Sequence, residues 1–214
     1  MTKRSFTLRN DRPARLVALI SGVGSNFKAL HQATADPDYG AEIVGVVSDR
    51  QGAAGLEWAR EQGLDTAVVS LGDFHDREAW DEALASSVEK WQPDLVLSVG
   101  FLKILGPKFL AAFPDHIVNT HNSLLPAFVG IHGPRDALRA GVKIAGATLF
   151  IIDPGMDTGP ILAQVAVPVE DDDTEETLTE RIKIAERAQL VESVAKMIRH
   201  GWWIDGIRAG FKTN

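Results

Sequence analysis

The stretch Leu16-Val-Ala-Leu-Ile-Ser-Gly-Val-Gly-Ser-Asn26 joins a short apolar run to a glycine-rich turn and then to the start of an amphipathic segment. Apolar runs of this length are typical of buried parallel strands. The same alternation recurs downstream, with strands predicted over residues 16–20, 43–47, 67–69, 95–97 and 117–118 and helices over 25–33, 53–62, 74–91 and 102–113. The pattern predicts an α/β fold of Rossmann-like type, with a mostly parallel twisted sheet flanked by helices.

The pattern changes after Pro126, where a hairpin and a long helix are predicted. Residues 145–152 and 160–167 predict two strands, because the Pro-Gly dipeptide between them marks a turn. An acidic run then precedes a long helix with an apolar stripe, and Asp173 and Glu176 have the spacing of a capping box. Since no repeat or linker divides the chain, we expect one domain over residues 14–214 and a flexible arm over residues 1–13.

Composition narrows the classes of function. The 29 acidic and 22 basic residues give a net charge of −7, which disfavours nucleic acid as a partner because phosphate binding needs clustered Lys and Arg. No apolar run approaches the ~20 residues of a membrane span, and the N-terminal arm lacks the apolar core of a secretory signal. We therefore expect a cytoplasmic protein that does not bind a membrane. The chain has no cysteine and its six histidines lack zinc-site spacing, so no metal is predicted.

The glycine turn after the first strand is a candidate anion site. Glycines allow a sharp turn, and the N–H groups at a helix N-terminus attract negative charge. Phe27 stands where a dinucleotide fingerprint would have its third glycine, and no Gly-Lys-Ser/Thr follows, so a single monophosphate fits better. The alternative is a tight strand-to-helix turn in which Ser25 caps the helix.

Asn119 and His121 follow the fifth predicted strand and lie two residues apart, so in an extended segment they share a face. A histidine can accept and donate protons near pH 7, and an amide can donate to the oxyanion of a tetrahedral intermediate. Asp157 ends the later turn and would favour the charged imidazole if the fold brought it near. The alternatives are a packed histidine and an ordinary turn aspartate.

Four motifs in this order and spacing resemble the folate-dependent formyltransferases, and among them those that act on glycinamide ribonucleotide in purine synthesis. The resemblance runs from about Arg15 to Arg199. Its carriers are Ile20-Ser-Gly-Val-Gly-Ser-Asn26, Gly100-Phe-Leu-Lys-Ile-Leu105, Asn119-Thr-His-Asn-Ser-Leu-Leu-Pro126 and Asp153-Pro-Gly-Met-Asp-Thr-Gly-Pro160.

The resemblance implies a set of site residues. The catalytic residues are Asn119, His121 and Asp157. The phosphate and ribonucleotide site comprises Gly24, Ser25, Asn26, Lys183 and Glu186. The folate site comprises Arg77, Leu102, Lys103, Ile104, Leu105, Asn119, Asp153, Pro154, Gly155, Met156 and Asp157.

The resemblance also implies a direct formyl transfer. The glycinamide amine attacks the formyl carbon of 10-formyltetrahydrofolate, a co-substrate, and a tetrahedral intermediate forms. Asn119 and protonated His121 stabilise its oxyanion, His121 moves a proton toward the leaving folate nitrogen as general acid and base, and Asp157 keeps His121 charged. The chain itself leaves monomer and homodimer open.

Three positions depart from the family pattern, and three other functions are alternatives to formyl transfer to glycinamide ribonucleotide. Val23 stands where an asparagine is frequent, Asn122 replaces the usual proline, and Phe150 replaces a frequent histidine. Formyltetrahydrofolate hydrolase is the main alternative, since Asn122-Ser123 and Val142-Lys-Ile-Ala-Gly146 also resemble it, although that enzyme carries an extra N-terminal domain. Methionyl-tRNA formyltransferase would need a C-terminal RNA-binding domain. A catalytically silent binding module on the same fold is the third alternative.

Overall fold

The structure is a computed structural model that describes residues 2–213. Its strands and helices in chain order are β1 (Arg4–Phe6), β2 (Ala14–Ile20), α1 (Ser25–Thr34), β3 (Ala41–Ser48), α2 (Ala54–Glu61), β4 (Thr66–Val68), α3 (Arg77–Glu89), β5 (Leu95–Ser98), α4 (Pro107–Ala112), β6 (Ile117–His121), α5 (Gly133–Ala140), β7 (Ile144–Ile151), β8 (Ile161–Pro168), α6 (Glu175–His200), β9 (Trp202–Asp205) and β10 (Arg208–Phe211). The described residues form two compact units: an N-terminal unit of residues 8–118, and a C-terminal unit of residues 119–213 with residues 2–7.

The N-terminal unit contains four parallel strands in the order β5-β2-β3-β4. Its central strand β2 has no solvent exposure from Leu16 to Ile20, which explains the uninterrupted apolar run in the sequence. The chain runs from β2 to β3 and β4 on one side and returns to β5 on the other. At such a reversal of strand order, open α/β sheets leave a crevice at the carboxyl ends of the strands. Residues 21–24 after β2 and 99–105 after β5 lie there.

The C-terminal unit contains a mixed sheet in the order β1-β9-β10-β8-β7-β6. β7 and β8 pair antiparallel from Ile144 opposite Pro168 to Phe150 opposite Ile161, which confirms the predicted hairpin. β10 runs parallel to β8, and β9 is antiparallel to both β10 and β1. The core between α5, β7, β8 and α6 is made of small and branched side chains: Ala137, Ala145, Ala147, Val167, Leu178 and Ile182. Parallel and mixed strands with helices packed on them confirm the α/β class.

The N-terminal residues differ from the flexible arm predicted over residues 1–13. Arg4–Phe6 form β1 and pair antiparallel with β9, and the Phe6 ring stacks on Trp202 with centroids 5.2 Å apart. The pairing joins opposite ends of the chain, so no local pattern could have revealed it. The single domain over residues 14–214 stays a prediction.

Two helix starts also differ from the sequence expectation. The helix predicted over 102–113 shortens to α4, because Pro107 suits the first helical turn and residues 101–106 before it form neither helix nor strand. The predicted capping box of Asp173 and Glu176 is wrong: Thr174 is the N-cap of α6, and Thr174 and Thr177 form the reciprocal box. Asp173 instead accepts a hydrogen bond from the Thr177 hydroxyl at 2.8 Å.

Candidate active site

The turn after β2 places Gly24 at the N-terminus of α1. Gly24 is the N-cap, with φ 69° and ψ 36°, a left-handed conformation that favours glycine. Ser25 is therefore the first residue of the helix, and the alternative in which it caps the helix is wrong. Ser25 is exposed to solvent, whereas Asn26 is buried. The turn thus presents a helix N-terminus and one hydroxyl group.

Gly55 of α2 packs directly on this turn, a contact that the sequence did not reveal. Its N–H donates to the Gly22 carbonyl at 2.9 Å. A Cβ at position 55 would lie 2.8 Å from both Ile20 Cδ1 and the Val23 carbonyl oxygen. The close approach of α2 therefore requires glycine here and fixes the shape of the turn.

Residues 102–105 are attached to the same turn through Ser21. The Ser21 N–H donates to the Gly100 carbonyl at 2.9 Å, and the Leu102 N–H donates to Ser21 Oγ at 2.8 Å. Leu102 and Ile104 are 61% and 54% exposed, whereas Leu105 is buried. The segment thus offers two apolar side chains at the carboxyl end of the parallel strands.

Two polar side chains of α3 support this segment. Arg77 donates to the Ile104 carbonyl, and its guanidinium lies 4.7 Å from the ring centroid of Trp80. The Asp81 carboxylate, 1% exposed, accepts from the Gly106 N–H at 2.7 Å and the Phe109 N–H at 3.0 Å. These bonds satisfy free N–H groups at the start of α4.

Lys103, the remaining member of the segment, faces an acidic side chain. Its Nζ lies 3.9 Å from Oδ2 of Asp49, whose side chain is 2% exposed. Asp49 follows β3 directly. This contact therefore joins the loop after β3 to the loop after β5 within the N-terminal unit.

Asn119 and His121 lie on β6 itself, which extends further than the strand predicted over 117–118. The prediction that they follow the strand is therefore wrong, while their spacing on one face of an extended segment is retained. Both are partly buried.

The fold brings Asp157 to His121, which the sequence could not show. His121 Nδ1 lies 3.8 Å from Asp157 Oδ2, longer than a hydrogen bond but within the range of an ion pair when the imidazole is protonated. His121 Nε2 lies 2.9 Å from the Phe128 carbonyl oxygen. The Gly130 N–H donates to Asp157 Oδ2 at 3.0 Å. The His121 and Asp157 side chains are 11% and 13% exposed, so their interaction is less screened than at an open surface.

Asp153 shapes the turn that carries Asp157. Its Oδ1 accepts from the Gly155 N–H at 3.0 Å and from the Thr158 hydroxyl at 2.7 Å. A Cβ at Gly155 would collide with Thr158 Oγ1, so glycine is needed inside the turn. Pro154 and Met156 are exposed on its outside.

Lys183 and Glu186 lie one helical turn apart on α6 but in different surroundings. Lys183 is half-buried, whereas Glu186 is 3% exposed. The Thr120 hydroxyl of β6 donates to Glu186 Oε1. This hydrogen bond joins β6 to the middle of α6 through a buried carboxylate.

The described part of the chain contains neither a cluster of metal-binding side chains nor a membrane-spanning helix. Within residues 2–213, no group of three or more His, Cys, Asp or Glu side chains could hold a metal ion. Over the same residues, no helix combines the length and apolar character needed to span a membrane.

The predicted site residues divide between the two units. The N-terminal unit holds Gly24, Ser25, Asn26, Arg77 and residues 102–105, and the C-terminal unit holds Asn119, His121, residues 153–157, Lys183 and Glu186. Sequence reasoning missed their supporting partners: Ser21, Gly55, Asp81, Thr120, Phe128 and Gly130. Only Thr120 carried a usable signal, since strand alternation between Asn119 and His121 places it on the opposite face.

Comparison with known proteins assigns a class to this arrangement. The family described as formyl transferase matches residues 14–194. The chain belongs to this family. The resemblance predicted from the four sequence motifs, and with it the prediction of a formyltransferase enzyme, is confirmed.

Individual relatives carry more specific names. The phosphoribosylglycinamide formyltransferase of Mycobacterium tuberculosis (strain H37Rv) is 50% identical over 194 residues, 91% of this chain and 89% of the relative. The trifunctional purine biosynthetic protein adenosine-3 of Drosophila melanogaster is 38% identical over 91% of this chain but only 15% of its own length. The glycinamide ribonucleotide transformylase 1 structure from Symbiobacterium toebii has a TM-score of 0.91 at 37% identity, covering 94% of this chain and 95% of that one.

Proposed function

We propose that this chain transfers the formyl group of 10-formyltetrahydrofolate to the amine of 5′-phosphoribosylglycinamide in purine (IMP) synthesis, in the cytoplasm. Membership of the formyl transferase family and the names of its relatives support this role. The observation that carries the proposal is the grouping of His121 with Asp157 on and beside the strand that holds Asn119.

The proposed reaction begins with attack of the glycinamide amine on the formyl carbon. A carbon–nitrogen bond forms, and the carbonyl electrons move onto oxygen to give a tetrahedral oxyanion. The Asn119 amide and the His121 imidazolium donate to this oxyanion. The Asp157 carboxylate stabilises the imidazolium charge from 3.8 Å, on the side of the ring away from Nε2.

Collapse of the intermediate completes the transfer. The bond from the formyl carbon to folate N10 breaks, and N10 leaves with the electron pair and takes up a proton. The attacking nitrogen loses a proton, so no net proton is consumed, and His121 carries the proton between the two. The products are formylglycinamide ribonucleotide and tetrahydrofolate, without a covalent enzyme intermediate.

The loop that follows β6 must adjust during this reaction. His121 Nε2 is paired with the Phe128 carbonyl, and Asp157 accepts from Gly130. The His121 Nε2–H can donate to a reacting atom only after its hydrogen bond to the Phe128 carbonyl has broken. Substrate binding is therefore proposed to displace residues 128–130 from the His121–Asp157 pair.

The substrate phosphate is proposed to bind at the N-terminus of α1. The first N–H groups of a helix have no partner within the helix and attract anions, and the Ser25 hydroxyl is exposed beside them. Because the Asn26 side chain is buried, its proposed contact is through the backbone N–H. The folate is proposed to contact the exposed apolar side chains of Leu102 and Ile104.

The test is an absorbance assay of folate deformylation with purified protein and 10-formyltetrahydrofolate, with and without glycinamide ribonucleotide. Turnover that requires the ribonucleotide supports the proposal. Turnover without it would indicate a formylfolate hydrolase, and no turnover in either mixture would indicate a silent binding module.

A pair of variants tests the assigned centre in the same assay. His121→Asn is expected to lower kcat by about 10²–10⁴-fold, the usual contribution of a general acid–base group. The matched control is His75→Asn, because the His75 side chain is 81% exposed and outside the proposed site. Equal activities of the two variants would contradict the assignment of His121.

A further inference from the structure

Thr148 and Gln164 lie directly opposite each other in the β7–β8 hairpin, and both bind the segment that follows β6. Gln164 Nε2 donates to the Leu125 carbonyl at 2.8 Å and to Thr148 Oγ1 at 3.0 Å. Thr148, which is fully buried, donates to the Ser123 carbonyl at 2.6 Å and accepts from the Leu125 N–H at 3.0 Å. Two side chains of the hairpin thus satisfy three backbone groups of residues 123–125.

This segment leads directly into the loop that contacts His121. Residues 123–127 form the stem of the loop, and within it the Ser123 hydroxyl donates to the Ala127 carbonyl at 2.6 Å. The next residue, Phe128, supplies the carbonyl oxygen that lies 2.9 Å from His121 Nε2. The position of this carbonyl therefore depends on how the loop stem is held.

One hairpin consequently determines the partners of both nitrogen atoms of the His121 ring. Its turn carries Asp157, whose Oδ2 lies 3.8 Å from Nδ1. Its strands carry Thr148 and Gln164, which hold the loop stem and so act on the side of Nε2. Groups supported by paired strands are placed more precisely than groups supported by loops alone.

We infer that Gln164 is a positioning residue for His121, which acts by holding the loop stem, and through it the Phe128 carbonyl, at the imidazole Nε2. The effect on catalysis rests on the proposed function, whereas the effect on the imidazole does not. A glutamine amide has two N–H donors, and here one binds the Leu125 carbonyl and the other the Thr148 hydroxyl. Methionine is similar in size but would lose both contacts.

The first test is ¹⁵N NMR of the histidine side chains in wild type and in Gln164→Met, with the spectrum of His121→Asn for assignment. A proton held in a hydrogen bond exchanges slowly with water, so we expect a His121 Nε2–H signal in wild type and its broadening or loss in Gln164→Met. Gln32→Met, at an exposed glutamine of α1, is the matched control and should leave the signal unchanged. The inference is overturned if wild type lacks this signal or if Gln164→Met retains it.

Steady-state kinetics and thermal midpoints are measured on the same variants. Gln164 is exposed, so its replacement is expected to leave the protein folded. Gln164→Met should lower kcat about tenfold with little change in either KM, because a general acid and base that is no longer held in place reacts more slowly. A lowered thermal midpoint beside a wild-type kcat would indicate a merely structural role and would overturn the inference.

A double-mutant cycle shows whether Gln164 acts through the hydrogen bonds of the loop stem. Thr148→Val removes the hydroxyl that binds both Gln164 and the stem. In that background Gln164→Met should lower kcat less than it does in wild type, and fully independent effects would contradict the inference. If wild type transfers no formyl group, the proposed function fails, and the NMR comparison alone decides whether Gln164 positions His121.

Discussion

Among single residues, Asp157 combines two interactions that a conservative substitution can separate. Its Oδ2 accepts from the Gly130 N–H at 3.0 Å and lies 3.8 Å from His121 Nδ1. Asparagine keeps an oxygen that can accept from Gly130 but removes the negative charge near the imidazole. Replacement of this one residue therefore tests the charge while the turn built by Asp153 stays in place.

Asp157→Asn is expected to lower kcat by about 10²–10⁴-fold and to leave the dissociation constant of glycinamide ribonucleotide nearly unchanged. The reason is that the proposed charge stabilises the imidazolium in the transition state, and not the bound ribonucleotide. Steady-state kinetics and calorimetric titration measure the two quantities. Asp171→Asn, at a carboxylate whose side chain is 96% exposed, is the control. Equal losses in kcat and in ribonucleotide affinity would contradict the role.

At the scale of elements, local patterns predicted those parts of the fold that are locally determined. The run from Leu16 to Ile20 became β2, and the Pro-Gly turn joined β7 and β8 as expected. Pro107 marks the start of α4 locally, but the capping of α4 by Asp81 could not be predicted, because Asp81 looks like an ordinary surface acid beside Glu82 in α3. Only the folded chain brings its carboxylate to the Gly106 and Phe109 N–H groups.

The same distinction holds for the candidate site. Asn119 and His121 could be selected from their spacing, since two-residue alternation is a property of any extended segment. The contact of Asp157 with His121 depends on the path of the hairpin, and the pairing of Phe128 and Gly130 with these side chains depends on a loop conformation. Phe128 and Gly130 adopt φ values of 57° and 94°, which no periodic pattern specifies.

The substitution Asp81→Asn is expected to destabilise the protein by about 1–3 kcal/mol, because an amide cannot accept from both N–H groups and sets its own donor against one of them. It is also expected to raise KM for 10-formyltetrahydrofolate, since α4 begins directly after residues 102–105. Urea unfolding and steady-state kinetics are the measurements. Glu82→Gln, at an exposed neighbour, serves as control, and identical unfolding midpoints for the two variants would refute the capping role.

At the scale of the whole molecule, the two ends of the chain fold together within the C-terminal unit. β1 pairs with β9, Lys3 Nζ lies 4.5 Å from the Trp203 ring centroid, and Lys212 Nζ donates to the Thr7 hydroxyl at 2.7 Å. Contacts between distant segments carry a loop-closure entropy and leave no trace in local sequence. The C-terminal unit therefore includes residues 2–7 as well as the segment from Asn119 onward.

Arginine–carboxylate pairs connect the whole molecule's stability to pH. Asp173 accepts from Arg181 Nη1 at 2.8 Å and Nη2 at 2.7 Å, and these hydrogen bonds hold its pKa well below the usual range. Burial alone would raise the pKa of Asp94, but hydrogen bonds from Arg12 and the Arg15 N–H lower it overall. Both carboxylates are thus more acidic in the folded protein than in the unfolded chain.

The sign of the pH effect follows from this difference. Below about pH 4, Asp173 binds a proton in the unfolded chain but stays ionised in the folded protein. The stabilisation of the fold by ionised Asp173 is therefore fully present above that pH and is lost as the pH falls toward the pKa of the folded state. Asp173→Asn should therefore be less stable than wild type near neutral pH, with a difference that shrinks between about pH 4 and pH 2. Urea unfolding midpoints across this range measure it, with Asp171→Asn as the exposed control. A wild-type advantage that stayed constant or grew in acid would show that Asp173 does not stabilise the fold through its ionised form.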